Sequence, residues 1–447
     1  MRTSNESMGL VKELDQRDLA STGEELYRFA GELYPLCRSI TGDGIRRTLA
    51  IIQNRIPLRM FEVPTGTLVF DWIVPKEWNI RDAYIRVPGG KRVVDFQKSN
   101  LHVLNYSTPM HTRMQLTELK SHLFTIPEKP DWIPYRTSYY KEDWGFCLSH
   151  NQMLALEDGE YEVCIDSTLA DGQLTYGECY LPGRSTDEVL ISCHVCHPSL
   201  ANDNLSGLTV ATHLAQLLAA KTHRYSYRFL FVPGTIGAIT WLSRNSETAG
   251  RVRHGLVLTC IGDRGAFHYK KSRQEDAEVD RAVAHVLKHA VPSATILPFS
   301  PTGYDERQYC SPGFNLPVGC LMRSVWGTFP EYHTSADNLE FLAPESLAES
   351  IRVCASVIDL LESNRNYQNL APFGEPQLGR RGLYQATGGT APESEINARL
   401  WVLNFSDGHH SLLDIAERSG LPFTLLNEAA ELLLSSELLA PVDPAHG

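Results

Sequence analysis

The chain has 447 residues, 43% of them hydrophobic and 21% charged, with 32 Gly and 25 Pro, more length than one hydrophobic core usually supports, so two or three domains are expected. Its 41 basic and 53 acidic side chains leave a net charge of -12, which argues against a protein that owes its affinity to phosphate neutralisation and disfavours a nucleic-acid partner.

The first twenty residues carry Arg2, Glu6, Lys12, Glu13, Asp15, Arg17 and Asp18 without an apolar stretch, so no secretory signal is expected there. No run of apolar residues approaches the 18 or so that a membrane span needs. Residues 23–56 read as helical, with Leu26, Phe29, Leu33, Ile45, Leu49 and Ile52 at three-to-four spacing, interrupted by Pro35 and the turn Thr41-Gly42-Asp43-Gly44. From 58 to 182 short β-branched and aromatic runs such as Leu68-Val69-Phe70 alternate with turns such as Pro88-Gly89-Gly90, the texture of an inserted β-rich domain. From 183 strand and helix alternate: Glu188 to Ser192, a helix from Leu205 to Leu218, then Tyr227 to Val232. That order predicts βαβ units and a mainly parallel sheet. A strand Leu256 to Thr259, a helix Asp280 to His289, a strand Val318 to Met322 and a closing helix Pro344 to Glu362 continue it. The expected α/β core is therefore 1–57 with 183–366. After a Pro- and Gly-containing stretch at 371–392, helices near 410–419 and 423–438 give the unit 367–447 the proportions of a winged helix. From Glu393 onward that unit carries nine acids and two bases, so protein contact or dimerisation is expected of it rather than duplex binding. The ten cysteines sit in apolar strand-like runs without disulfide or zinc-knuckle spacing, as reduced thiols do in a cytoplasmic protein.

The richest segment runs from Ile191 to Gly207. A strand ends at His194, and Asp203 stands at the entrance of the next helix, so both side chains are expected at the carboxyl end of the sheet, where open α/β sheets place their sites. Imidazole and carboxylate suit a zinc-type ion; the alternative for Asp203 is a plain helix cap. His197 is either a further ligand or a partner behind one. His333, in the loop Pro330 to Glu340, would by itself be a surface histidine. The basic run Lys270-Lys271-Ser272-Arg273 reads as a solvated loop or strand edge.

Taken with Asp71 to Trp78, Asp305 to Gly313, Tyr332 to Ser335 with Asp337-Asn338, and Glu375 to Tyr384, these residues resemble a co-catalytic zinc aminopeptidase-like clan. Within it the chain is similar to a bacterial family that joins an inserted β-rich domain and a C-terminal winged helix to the peptidase core. The resemblance implies metal ligation by His194, by Asp203 as the bridging carboxylate, by His333 on the other side, and by Asp263 after a later strand. It also implies hydrolysis of a small peptide, aminoacyl or amide conjugate in polysaccharide or natural-product biosynthesis. One departure stands out: Val232-Pro233-Gly234-Thr235-Ile236-Gly237 has glycine where relatives carry the acid that serves as base and ligand. Losing a positioned base costs roughly 10² to 10⁴ in rate, so Glu306 or Asp305 is expected to replace it, the alternative being a structural network around Arg307. One zinc ion is expected rather than two, with Tyr304, Arg307 and Tyr332 as substrate-binding residues. A catalytically impaired scaffold and a single-zinc acyl transferase or cyclase are the rival readings. A homo-oligomer is expected, with no membrane partner.

Overall fold

The computed structural model describes residues 9–383 and 393–442. Met1 to Met8, the end of the Pro- and Gly-containing stretch (384–392, with Tyr384) and residues 443–447, with Asp443, lie outside the described residues. Two compact units are drawn from the chain, one up to Ala277 together with Ser293–Arg352, the other Glu278–Pro292 together with the chain from Val353 on.

The first unit is built on an eight-stranded sheet. Its strands are β1 (Arg59–Pro64), β2 (Gln173–Leu181), β3 (Glu188–His194), β4 (Ser226–Val232), β5 (Val252–Leu258), β6 (His268–Lys270), β7 (Thr295–Leu297) and β8 (Val318–Met322), in the spatial order β1-β2-β4-β3-β5-β8-β6-β7. The central four are parallel. Every residue of β3 and β4 is buried, as expected of strands covered on both faces. The two charges inside them, Glu188 and Arg228, meet across the ladder at 2.7 and 2.9 Å, and Arg228 also reaches Glu178 of β2 at 2.7 Å, so no ion is left uncompensated in the layer.

The helical reading of 23–56 resolves into Leu19–Leu33, burying Leu26, Phe29 and Leu33, and Asp43–Gln53, burying Ile45, Leu49 and Ile52. The turn between them requires glycine, since Gly42 has φ +92 and a Cβ there would stand 2.0 Å from the Trp78 carbonyl oxygen. The expected boundaries of the β-rich insert, 58 and 182, differ from the observed sheet. β1 and β2 pair with each other and β2 with β4, so both belong to the large sheet, and the separate β-rich segment lies between Pro64 and Gln173. Their composition is that of the insert's own strands, which is why the sequence marks no border. Inside that segment a four-stranded antiparallel sheet runs Arg92–Asp95, Glu77–Arg86, Glu160–Ala170, Met110–Gln115.

The second unit carries a three-stranded antiparallel sheet, Asp407–Ser411, Asn366–Asn369, Leu439–Val442, with helices Glu393–Phe405, Leu412–Ser419 and Phe423–Ser435. The helix expected at 280–289 in the core forms as Glu278–Ala290 but groups here. Arg281 binds Asp414 and Glu417 at 2.5 Å, and the Phe423 N–H donates to His285 Nε2 at 3.0 Å. Helix Glu393–Phe405 was not expected, because its apolar residues follow no clear helical period. No described helix is long and apolar enough to cross a membrane, and none of the ten cysteines forms a disulfide.

Candidate metal centre

β3 delivers His194 to the carboxyl edge of the sheet, with pairing continued one residue on by the Val195 N–H to the Val232 carbonyl. The chain then loops back into a tight turn, Ala201–Ser206, before helix Gly207–Ala219. Backbone N–H groups of Asn202 and Asp203 donate to the buried Asp337 carboxylate at 2.6 and 3.0 Å, and that of Ala201 to the Asp337 carbonyl at 3.0 Å. Asp337 therefore aims Asp203. Burial, helped by the Asp203 charge and opposed by the backbone donors, pushes the Asp337 carboxyl up to about 8.

Asp203 is fully buried and shares its two oxygens between histidines. Oδ1 lies 2.7 Å from His194 Nε2; Oδ2 lies 3.1 Å from His333 Nε2, 3.9 Å from His197 Nε2 and 2.8 Å from the Tyr304 hydroxyl. Burial works to raise this carboxyl, but the His197, His194 and His333 imidazoles outweigh it and hold it well below the usual carboxylate range. His197 is driven well down by burial, against the pull of Asp203. An ionised carboxylate beside a neutral imidazole is a donor set made for a cation.

Aromatic rings fix these imidazoles. Tyr304 stacks on His194 at 4.4 Å, Tyr332 on His333 at 3.9 Å, and Tyr135 meets both His197 and His333 edge-on at 5.1 Å. Tyr304 and Tyr332 also share a hydroxyl hydrogen bond of 2.9 Å. His333 has φ +54, a left-handed conformation uncommon for a histidine and held by the Tyr135 N–H donating to its carbonyl at 2.8 Å. Arg38, its own pKa lowered by burial to about 10, donates to the His197 carbonyl at 2.8 Å.

The ligating atoms of His194, His197 and Asp203 lie within 4.8 Å of one another. Two ligands on opposite sides of one zinc-type ion are about 4 Å apart, so the three fit one ion after a small contraction. The structure thus brings His194, Asp203 and His333 together, with His197, the further candidate, beside them. Asp263 stands apart from this group: its Oδ1 accepts from Gly265 N and Ser324 Oγ, both at 2.6 Å, and its Oδ2 from Asn202 Nδ2 at 2.8 Å, so it anchors the turn instead.

At Gly234 the space is narrow. A Cβ there would stand 3.1 Å from His194 Cβ and 3.6 Å from Asp305 Oδ1. Asp305 is fully buried with no hydrogen-bond partner on either carboxyl oxygen among the described residues; burial, reinforced by Glu306, pushes its carboxyl well above the usual range, with Arg307 pulling the other way. Glu306 is occupied by Lys270, at 2.7 Å between two buried side chains, which separates the two expected substitutes and also places Lys270 inside rather than in a solvated loop. Arg307 keeps its Nε buried, with no hydrogen-bond partner among the described residues. Neither Arg307 nor Tyr304 lines the cavity of about 510 Å³ that opens on the centre; Tyr332, His333 and His197 do, together with residues 126–139 of the β-rich segment. Those insert residues, Tyr135 above all, escape a sequence reading, because only the fold brings them to a loop some two hundred positions on.

Residues 27–364 match a family model described as a domain of unknown function (DUF4910), and residues 365–441 one described as a winged helix-turn-helix. A Clostridium acetobutylicum protein, provisionally named a polysaccharide biosynthesis protein with aminopeptidase-like domain, is 52% identical over 94% of this chain and 97% of its own. A crystal structure from the same organism, provisionally named a peptidase, has TM-score 0.92 and 50% identity, covering 97% of this chain and all of the other. A zinc aminopeptidase from Bacillus subtilis shares the fold, with TM-score 0.54 at 12% identity, over 76% of this chain and 94% of its own.

Proposed function

The chain belongs to the DUF4910 family, with an aminopeptidase-like α/β core and a C-terminal winged helix-turn-helix, and from that premise we propose that it is a metal-dependent hydrolase of a small peptide, aminoacyl or amide conjugate. One observation carries this reading: a single buried carboxylate, Asp203, divides its oxygens between His194 and His333, and His333 with His197 lines an open cavity. His194, His197, Asp203 and His333 would hold the ion, zinc by their chemistry, and one ion rather than two because no acid stands at 234. When bound, such an ion supplies Lewis-acid polarisation of a carbonyl and activation of water.

The protein's own groups do the rest. Asp305, beside Gly234 though outside the cavity lining, has no hydrogen bond on either carboxyl oxygen among the described residues and is the candidate to accept a proton at Oδ1 and return it to the leaving nitrogen; its raised affinity for protons suits that exchange. Tyr304 and Tyr332, both kept protonated by burial, fix Asp203 and His333 in place. Gly234 alone favours a silent scaffold, and the unpartnered Asp305 next to it answers that objection.

The relative's name is the ground for proposing a place in polysaccharide biosynthesis. Cysteines without disulfides fit a cytoplasmic protein. For the C-terminal unit we propose protein contact, homo-oligomerisation first, since helix Phe423–Ser435 carries Glu428 and Glu431 and no base, a face that a duplex would repel.

The test is metal content of the purified protein together with turnover of a panel of aminoacyl and acyl amides. About one equivalent of zinc is expected, with turnover that a chelator abolishes and that falls by roughly 10² to 10⁴ in Asp305→Asn while metal content holds. No bound metal and no metal-dependent turnover would end the hydrolase reading.

A further inference from the structure

The cavity above the centre is lined by Ile126, Pro134, Tyr135, Tyr139 and Tyr332 as its apolar and aromatic walls, and by Arg136. Its volume, about 510 Å³, suits a small molecule rather than a chain. Among its lining residues there is no carboxylate. Arg136 is exposed and takes part in no ion pair among the described residues. Its backbone is nonetheless fixed: the Asn105 N–H donates to the Arg136 carbonyl at 2.9 Å, and Thr137 bridges to Asn105. A guanidinium held on an anchored segment and left without a counterion is a prepared anion site, because its planar fork matches an oxyanion in two parallel bonds. An ammonium would find nothing in this wall to pair with, and the buried Asp203, outside the lining, is already taken by His194, His333 and Tyr304.

We propose that Arg136 is the specificity-determining residue of this site and that the substrate carries an oxyanion, a carboxylate or a phosphate, on the side of the scissile amide facing the β-rich segment. This rests on the hydrolase reading for what happens at the metal, but the recognition itself is a binding property. The substrate class is then an acylated amino acid or an acyl-amino sugar acid or phosphate, not a free-amine peptide recognised through its ammonium.

Binding to the full-length protein as purified separates the two claims. Calorimetric titration with N-acetyltyrosine, phenyl phosphate and the neutral N-acetyltyrosine amide should give at least one anion a Kd below about 1 mM and at least tenfold tighter than the amide, about 1.4 kcal/mol. Which anion wins identifies the source. In Arg136→Gln that preference should vanish while the amide binds as before; the exposed side chain makes misfolding no obstacle. Where a turned-over anionic substrate is found, the same variant should raise KM about tenfold and leave kcat within about twofold. Equal binding of anion and amide by the wild type, no binding of either anion at 1 mM, or a preference that survives in Arg136→Gln would overturn the proposal. Loss of turnover with the preference intact would instead overturn the hydrolase reading and leave anion recognition standing.

Discussion

At the scale of single residues, the centre depends on Asp203 being ionised and shared. Asp203→Asn keeps the shape but replaces one acceptor oxygen with an amide donor facing an imidazole or the Tyr304 hydroxyl. Zinc affinity is expected to fall at least 100-fold, read by competition with a chromogenic chelator, with the melting temperature little changed in the metal-free protein; unchanged zinc affinity would remove Asp203 from the ligand set. Gly234 makes the opposite kind of test. The sequence alone suggests that restoring an acid there would raise activity, but a Cβ at 234 already stands 3.1 Å from His194 Cβ, with Asp305 Oδ1 just beyond. Gly234→Glu is therefore expected to displace one of them and lower zinc affinity and turnover at least tenfold, whereas Gly234→Ala, which needs a shift of only a few tenths of an ångström, should lose less. A more active glutamate variant would mean that Asp305 does not occupy the role assigned to it.

At the scale of elements, the site is a meeting of loops tied by backbone hydrogen bonds, and this is where sequence reading reached its limit. The strand ending at His194 and the histidine-bearing loop at 333 were legible because a buried β run and a polar loop leave opposite signatures. Asp263 is held by Gly265 two positions on and by Ser324 and Asn202, each 61 positions away, and partners so distant in the chain leave no trace in the local sequence. The borders of the insert were hidden for a related reason: β1 and β2 pair antiparallel on the sheet edge and read like any strand of the insert. Asp337 was visible as part of a motif, but its role appears only once its carboxylate is seen receiving two N–H groups from the turn that carries Asp203. Asp337→Ala should leave both donors buried and unpaired, a loss of about 3 kcal/mol at 1–3 kcal/mol each. Chemical denaturation of the first unit checks the size, and zinc titration checks that the displaced Asp203 also binds metal more weakly. A variant as stable as the parent would show that water replaces the carboxylate without cost.

At the scale of the whole molecule, two units with separate cores need not share one response to pH, and the second contains a built-in acid sensitivity. His285 is buried, and the Phe423 N–H donates to its Nε2, a bond that only the neutral ring can accept. Burial, with the neighbouring His289 and Lys288, lowers its pKa to about 4, against about 6.5 in an unfolded chain. Between those values the unfolded state binds the proton more readily than the folded one, so stability rises with pH there. The contribution is intact above about pH 6.5, is lost as the pH falls, and is fully gone below about 4. After allowance for partial solvent screening the loss is on the order of 2 kcal/mol. The contact between His285 of helix Glu278–Ala290 and Phe423 should then loosen first, and hydrogen exchange of the Phe423 amide followed from pH 7 to 4.5 should accelerate before amides of the first unit do. The control is His285→Gln, whose side-chain oxygen can accept the same bond without titrating; it should flatten the pH dependence of Phe423 exchange while leaving that of the aminopeptidase-like core unchanged. Equal slopes in the two proteins would assign the acid response to the carboxylates around Arg281, Asp414 and Glu417, instead of to His285.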